Sequence, residues 1–241
     1  MIVLTGLLLL ALLAAAYWLL MSPFAPSSRD YPYQGPAAER VVALTFDDGP
    51  NEPYTSQILD ILDEHAIRAT FFQVGHCVER HPEVAQRAID AGHVVGNHSL
   101  THRFGTYLRP HAFEREVEQS QRILARVLGR TPALARTPWL WRQPALLRML
   151  RRGGLHPVAG EFGHAFEVFQ PSGARMARRA IAKTRPGSIL IFHDGFDARG
   201  GNRAETVAAA RHTIEGLRSR GYRFVTVDEL LGVPAYQTLT H

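Results

Sequence analysis

Residues 41–50 read Val-Val-Ala-Leu-Thr-Phe-Asp-Asp-Gly-Pro, a short apolar run that ends in two carboxylates and a turn signal. The apolar run is typical of a buried strand, and Gly-Pro ends such a strand and turns the chain. Side chains alternate along a strand, so it is the turn that lets Asp47 and Asp48 reach a common site. Two adjacent carboxylates at a strand end suit one bound metal ion and one general base.

Strand-like and helix-like segments alternate on the carboxyl-terminal side of this run. About seven β-α units predict parallel strands with crossover helices, and therefore an α/β fold. The predicted strands are 41–46, 69–74, 93–96, 134–136, 158–162, 188–192 and 223–227. The predicted helices are 55–65, 82–91, 112–128, 145–152, 173–184 and 204–220.

His98 and His102 supply the second half of the candidate site. Two His residues four positions apart lie on one face of a helical turn. With a carboxylate such as Asp48 they give a two-His, one-Asp metal site that keeps open positions for water and substrate. The pair follows the third predicted strand, Arg136 ends the fourth and His193 follows the sixth. In parallel α/β folds, sites lie at the carboxyl ends of the strands.

These runs, 45–50 and 92–102, resemble the first two motifs of the polysaccharide deacetylase family (NodB homology domain, carbohydrate esterase family 4). The resemblance extends from about residue 41 to about residue 231. It implies a distorted (β/α)7 barrel and a hydrolase that removes N-acetyl groups from an amino-sugar polysaccharide or oligosaccharide. It also implies a divalent metal cofactor, with Zn²⁺ as the first candidate.

The resemblance also implies roles for individual residues. Asp48, His98 and His102 would be metal ligands, Asp47 the general base, and Arg136 the cation that pairs with the base. His193 would protonate the leaving amine, a role that suits a side chain titrating near neutral pH. Trp139 would contact sugar rings, and Ile191 would line the pocket for the acyl methyl group.

Two motifs depart from the family pattern. The third motif, roughly Arg-Pro-Pro-Trp-Gly in the family, reads Arg-Thr-Pro-Trp-Leu at 136–140, and the loss of Gly affects the local turn. The fourth motif commonly has an Asp-Trp pair whose Asp tunes the catalytic His. Residues 158–166 contain neither residue, and Glu161 and His164 are the candidates for its replacement.

Residues 2–21 contain no charged side chain and are dominated by Leu and Ala. This length matches the ~20 residues that span a bilayer. A cleaved signal segment is the alternative, but the segment starts without Lys or Arg, which favours an anchor. We therefore predict an anchor or signal segment at 1–22, a linker at 23–39, the catalytic domain at 40–234 and a tail at 235–241. The protein would be membrane-anchored or exported; Arg29 and Arg40 follow the segment and leave its orientation open.

The composition narrows the partners. The net charge is +5, but the sequence has no segment in which basic and aromatic residues alternate. This argues against a nucleic-acid partner. The chain lacks a Gly-x-Ser-x-Gly elbow, a His-Glu-x-x-His helix and a phosphate-binding Gly-rich loop. The predicted partner is an N-acetylated glycan. The alternatives are deacetylation or deformylation of a lipid-linked amino sugar, and a catalytically inactive glycan-binding relative.

Overall fold

The strands of the fold run parallel and form one sheet. The computed structural model describes residues 2–21, 30–36 and 38–238. The strands in these residues are β1 (Val41–Asp47), β2 (Thr70–Gln73), β3 (Val94–Asn97), β4 (Leu134–Ala135), β5 (His156–Pro157), β6 (Glu161–Phe162), β7 (Ser188–His193) and β8 (Arg223–Val225).

The helices connect the strands or pack beside the sheet, except the first, which precedes β1 and whose described side chains are exposed. They are α1 (Ile2–Met21), α2 (Tyr54–Glu64), α3 (Gly75–Arg80), α4 (Pro82–Asp90), α5 (Pro110–Leu128), α6 (Pro144–Arg152), α7 (Gly173–Lys183), α8 (Ala204–Arg218) and α9 (Val227–Leu231). Short 3₁₀ turns cover Phe104–Leu108, Pro138–Leu140 and Glu167–Phe169.

The strand order is β5-β4-β3-β2-β1-β7-β6, and β8 pairs with the first residues of β1. The predicted α/β fold with parallel strands is therefore confirmed. The described strands form a half-barrel with β5 and β6 at its ends. The family resemblance had implied a distorted (β/α)7 barrel instead. The register places Asp47 of β1 opposite His193 of β7 and Phe72 of β2.

Apolar side chains pack on both faces of β1, which is buried along its whole length. Leu44 and Phe46 point into the layer between the sheet and helices such as α2 and α8, whereas Ala43 faces the opposite cluster with Phe72. Full burial of one such Leu or Phe side chain contributes about 1.5–3 kcal/mol. This two-sided burial fixes β1, and with it the direction in which Asp47 and Asp48 leave the sheet.

Two predicted strands differ from the structure, and the short helices α3 and α9 were not predicted. The predicted strand at 158–162 is replaced by β5 and β6, two strands of two residues each. Between them the chain approaches β7 so closely at Gly160 that a Cβ atom there would lie 2.7 Å from Ile191 Cγ1. The predicted strand at 223–227 ends at Val225, because α9 begins at Val227. Helix α3 was not predicted, since its six residues are too few to show a helical period.

Residues 30–36, inside the predicted linker, contact the domain. Tyr31 is fully buried, the Pro32 carbonyl accepts a hydrogen bond from the Ala159 amide, and Gly35 N–H donates to the Gly187 carbonyl. Residues 1, 22–29, 37 and 239–241, parts of the predicted anchor, linker and tail, lie outside the described residues.

The side chains of α1 are described from residue 5 to residue 15. Among the described residues, no helix is long and apolar enough to cross a membrane. The membrane anchor expected from residues 2–21 is therefore not supported, and the location of the protein stays a prediction.

Candidate active site

Three buried side chains converge just beyond the carboxyl ends of β1 and β3. Asp48 Oδ1 lies 3.2 Å from His98 Nε2 and 3.1 Å from His102 Nε2. The candidate ligand atoms of these residues all lie within 4.8 Å of one another. The structure thus brings together the three predicted metal ligands.

The surroundings of these side chains fit a divalent cation. Asp48 Oδ1 is buried and has no hydrogen-bond partner, although two imidazole nitrogens face it. His98 Nδ1 lies 2.8 Å from the Arg136 carbonyl oxygen. A carbonyl can only accept, so Nδ1 carries the proton and the Nε2 lone pair is free to bind a metal ion.

His102 is oriented by a carboxylate that sequence reasoning missed. Asp197 Oδ1 lies 2.9 Å from His102 Nδ1, and the Asp197 amide donates to Asp48 Oδ2 at 3.1 Å. A carboxylate behind a metal-binding His fixes the ring and raises its basicity. The one signal for this residue in the sequence is its position in the loop after β7. That signal is weak, because Asp is common in loops.

The electrostatics of this group favour a cation. Burial raises the pKa of Asp48, but His102 and His98 outweigh it and hold that pKa well below its usual range. Burial lowers the pKa of His102, yet the carboxylates of Asp48 and Asp197 raise it to about 10. Two carboxylates around one imidazole create a negative site that attracts a proton or a metal ion.

The loop that carries both His residues is not the helical turn that their spacing suggested. Residues 98–102 contain no helix, and Ser99 and His102 have φ values of +70° and +55°. Hydrogen bonds hold the loop: the Ser99 amide donates to Asn97 Oδ1, and the His102 amide to Ser99 Oγ. Glu116 of α5 accepts from both the amide and the hydroxyl of Thr101. These contacts replace helical hydrogen bonds and bring the same two imidazoles together.

Asp47, the predicted base, is paired with Arg136 as predicted. Arg136 Nη1 donates to Asp47 Oδ1 at 2.7 Å, and both side chains are almost fully buried. Three further guanidinium hydrogens donate to Thr45 Oγ1 and to the carbonyls of Val158 and Ala159. Because every part of the guanidinium is held, Arg136 provides a fixed positive charge beneath the Asp47 carboxylate.

His193, the predicted acid, contacts a buried carboxylate from an unexpected position. Glu167 Oε1 accepts from the His193 amide at 2.8 Å and from Thr206 Oγ1 at 3.1 Å. Its Oε2 lies 3.2 Å from His193 Nδ1. Burial lowers the pKa of His193, but the Glu167 carboxylate outweighs it and raises that pKa to about 9. His193 is therefore protonated at neutral pH.

Asp194 packs beneath the turn after the two carboxylates. Its Oδ2 accepts from Thr55 Oγ1 at 2.6 Å, and burial raises the pKa of Asp194 to about 7. A Cβ atom at position 49 would lie 2.0 Å from the same oxygen, which explains why glycine follows Asp47 and Asp48. Asp194 thus supports the turn that follows Asp47 and Asp48.

A cavity of about 280 Å³ lies over the assembled groups, and its lining includes Asp47, Asp48, His98, His102, Trp139 and His193. Trp139 is partly exposed, and its ring centroid lies 4.4 Å from that of His102. Ile191 is not among the described residues that line this cavity; it is fully buried, in a cluster with Leu140 and Ala159. Its contact with an acyl methyl group stays a prediction.

Comparison with known proteins identifies the family. A family model described as "Polysaccharide deacetylase" matches residues 34–158, more than half of the chain. The chain belongs to the polysaccharide deacetylase family. The predicted resemblance is thereby confirmed.

Relatives within this family share most of their length with the chain. A peptidoglycan-N-acetylglucosamine deacetylase of Bacillus cereus is 30 % identical over 200 residues, 83 % of this chain and 92 % of that protein. A chitooligosaccharide deacetylase of Rhizobium leguminosarum bv. trifolii is 35 % identical over 195 residues, 76 % of this chain and 88 % of that protein. The crystal structure of the Bc1960 peptidoglycan N-acetylglucosamine deacetylase has a TM-score of 0.80 at 28 % identity, covering 86 % of this chain and 95 % of that one.

The two departures from the polysaccharide deacetylase pattern now have structural explanations. Leu140 stands where the family has Gly and adopts φ +54°, as does Trp139. Left-handed backbone at such bulky residues is strained, and the burial of Leu140 against Tyr31 and Leu147 opposes that strain. In place of the missing fourth-motif Asp, Glu167 contacts His193 Nδ1, whereas among the described residues Glu161 and His164, the candidates from the sequence, make no such contact.

Proposed function

We propose that this protein is a metal-dependent hydrolase that removes N-acetyl groups from an amino-sugar polysaccharide or oligosaccharide. Family membership supports the deacetylase class, and relatives are named for peptidoglycan and chito-oligosaccharide substrates. The observation that carries the proposal is the meeting of three groups around one cavity: a two-His, one-Asp group, the Asp47 carboxylate paired with Arg136, and the His193 imidazole in contact with Glu167. This completeness favours an active enzyme over an inactive glycan-binding relative.

The metal ion would be held by Asp48, His98 and His102, and zinc is the first candidate because it accepts nitrogen and oxygen ligands with open positions. When bound, such an ion polarises a carbonyl and acidifies a water molecule. The Arg136 carbonyl and Asp197 keep the two imidazoles oriented for this task.

Asp47 would accept the proton of the attacking water. The Asp47 side chain lies beside Asp48, His98 and His102 in the wall of the same cavity. Arg136 contacts the Asp47 carboxylate from the opposite side. The guanidinium fixes the carboxylate in one orientation, so that the Asp47 oxygen toward the cavity is positioned for proton transfer.

His193 would donate a proton to the departing amine. Its side chain borders the cavity, and the register between β1 and β7 sets it opposite Asp47. Because Glu167 raises the pKa of His193 to about 9, the imidazolium needed for this step is present at neutral pH. Base and acid thus approach the substrate from two neighbouring strands.

The direct test is acetate release from N-acetylated chito-oligosaccharides by the purified protein with added Zn²⁺, and with a chelator as control. We expect release that the chelator abolishes and that added metal restores. Asp47→Asn is expected to lower kcat by about 10²–10⁴-fold with metal content unchanged. Asp48→Asn is expected to lower both activity and metal content.

The two variants separate chemistry from metal binding. Full activity of Asp47→Asn would refute the assignment of the base. Acetate release that is unaffected by chelation, from protein shown to contain no metal, would refute the metal dependence.

A further inference from the structure

A loop beside the active-site cavity presents apolar side chains to water. The loop joins β6 to α7, and its residues Phe166, Val168 and Phe169 are 63 %, 48 % and 79 % exposed. The ring centroids of Phe166 and Phe169 lie 6.5 Å apart, so the two rings form one patch. An exposed apolar patch with polar residues around it is typical of a surface that binds a protein or a membrane.

The loop is fixed to the domain in this exposed position. Glu167, which lies between the exposed side chains, is itself buried. Its carboxylate accepts hydrogen bonds from the His193 amide at 2.8 Å and from Thr206 Oγ1 at 3.1 Å. Lys183 of α7 donates to the Phe162 carbonyl at the start of the loop. These contacts hold the backbone against the domain, while the neighbours of Glu167 in the chain face water.

The helix that follows the loop adds positive charge. Arg175, Arg178 and Arg179 of α7 are exposed, and residues three and four positions apart share one face of a helix. The buried residues of α7 lie on its other face. Among the described residues, no carboxylate forms an ion pair with any of these three guanidinium groups. They are therefore free to bind an external anion.

The rings and the arginines line one groove of about 680 Å³. None of the described residues that line it is acidic. A concave surface with charge of one sign concentrates ligands of the opposite sign. We call this region the aromatic-basic surface, and its members are Phe166, Val168, Phe169, Arg175, Arg178 and Arg179.

A bilayer with anionic lipids satisfies both parts of this surface. Its phosphate groups match arginine, which binds phosphate through two parallel hydrogen bonds. Its interface accepts Phe side chains, and segments that lie on membranes combine such side chains with Arg or Lys. A soluble polyanion would bind the arginines but would leave the phenylalanine rings in water. The exposed rings therefore favour the bilayer.

We propose that the aromatic-basic surface docks on a bilayer that contains anionic lipids, with Phe166 and Phe169 inserted among the headgroups and the arginines bound to lipid phosphates. His164 and Ala165 border both this groove and the active-site cavity. Docking thus places the active-site cavity beside the membrane surface. The inference uses residues outside the metal group and does not depend on the proposed function.

The test is co-sedimentation of the full-length protein with vesicles. One set is pure phosphatidylcholine, and the other also contains phosphatidylglycerol at ~30 %. We expect an affinity for the anionic vesicles that is roughly hundredfold higher, because three arginines act together near the surface. Salt at ~0.5 M should reduce this preference by screening. Helix α1 is present in every protein compared, so differences between variants report on the aromatic-basic surface.

Charge variants assign the preference to α7. Arg175→Gln/Arg178→Gln/Arg179→Gln is expected to lose most of the roughly hundredfold preference for anionic vesicles. The matched control removes the same charge from exposed positions of α5 and α8 and is expected to bind as the wild-type protein does; it is Arg115→Gln/Arg122→Gln/Arg218→Gln.

Aromatic variants test insertion into the bilayer. Phe166→Ser/Phe169→Ser is expected to weaken binding to anionic vesicles by about tenfold or more, because two apolar side chains no longer leave water. Phe169→Trp provides a fluorescent reporter at the most exposed ring. With anionic vesicles, its added emission relative to the wild-type protein should shift to shorter wavelength and be quenched by lipids brominated on their acyl chains.

The outcomes are decisive for the docking surface. Equal binding to neutral and anionic vesicles, or wild-type affinity of the α7 triple variant, would refute it. Charge-dependent binding without quenching in Phe169→Trp would assign the arginines to a soluble polyanion and overturn the bilayer as the partner. Acetate release from soluble chito-oligosaccharides, measured in the same variants, is expected to stay unchanged. Its absence from the wild-type protein would refute the proposed function and leave the docking surface standing.

Discussion

The substitution Glu167→Gln tests the carboxylate that replaces the missing family Asp. Gln keeps the size of the side chain and an oxygen that accepts hydrogen bonds from the His193 amide and from Thr206 Oγ1, as Glu167 does now at 2.8 and 3.1 Å. What it removes is the negative charge that lies 3.2 Å from His193 Nδ1. The variant therefore isolates the electrostatic effect of Glu167 on the predicted acid.

The magnitude follows from the pKa of His193. Burial alone lowers this pKa, and the Glu167 carboxylate is the largest influence that raises it, from 6.5 to about 9. At about 1.4 kcal/mol per pH unit, this net change corresponds to roughly 3 kcal/mol in favour of the imidazolium. Without the charge, burial remains, and we expect the pKa of His193 to fall to 6.5 or below.

The expected result is a shift of the alkaline limb of the pH–rate profile. A general acid works below its pKa, so the activity of the wild-type protein should fall as pH rises through about 9. In Glu167→Gln the loss should occur at least two pH units lower, by the same reasoning. At pH 8, His193 is about 90 % protonated at a pKa of about 9 but about 3 % protonated at 6.5, a roughly thirtyfold loss of the active form.

The assay is kcat against pH with the metal saturating, together with an NMR titration of the His193 ring. Glu161→Gln is the matched control, because Glu161 was the alternative carboxylate in the same region of the sequence and does not contact His193. Its alkaline limb should match that of the wild-type protein. An unchanged limb in Glu167→Gln, with the NMR titration also unchanged, would show that Glu167 does not set the protonation of His193.

Three further substitutions test the supporting groups. Asp197→Asn, which removes the charge behind His102, should weaken Zn²⁺ binding by about 10–100-fold in a competition titration; unchanged affinity would contradict its orienting role. Arg136→Met leaves the Asp47 carboxylate buried without its partner and should lower the free energy of unfolding by about 3–5 kcal/mol in urea denaturation; an additional Asp47→Ala should recover part of the loss. His93 is buried, and burial lowers its pKa to about 4, so below pH 6.5 the unfolded chain binds a proton that the folded chain does not. His93→Gln should therefore reduce the loss of folding stability between pH 7 and pH 4.5, by up to roughly 3 kcal/mol. An unchanged pH dependence of the free energy of unfolding would contradict this.

The sequence predicted those parts of the site that strands position. β1 and β7 are apolar runs with a clear beginning and end, so the positions of Asp47 and His193 at strand ends follow from the pattern alone. The register between these strands, which sets the two residues opposite each other, is shown by the structure, because parallel pairing alone leaves the register open. Family resemblance added their roles, and the structure brings both residues to one cavity.

Loop geometry accounts for what the sequence did not predict. The spacing of His98 and His102 matched a helical turn, but the loop reaches the same result through left-handed residues and side-chain hydrogen bonds. Such turns depend on partners far along the chain, including Glu116. Asp197 reaches His102 from a loop about ninety-five residues later, and no local period in the sequence indicates contacts of this kind.

Glu167 brings a carboxylate to His193 in the absence of the fourth-motif Asp. Chemistry requires a carboxylate within hydrogen-bonding distance of His193 Nδ1, and it does not require a particular position in the sequence. The chain leaves β6 at Phe162 and returns in the 3₁₀ turn that begins at Glu167, where Thr206 of α8 fixes the carboxylate from behind. Burial of Glu167 to 2 % exposure would be costly for a carboxylate without such partners. A protonated His193 provides the opposing charge, so imidazolium and carboxylate stabilise each other; under the proposed function, the loop between β6 and α7 supplies the carboxylate that the family places on a strand.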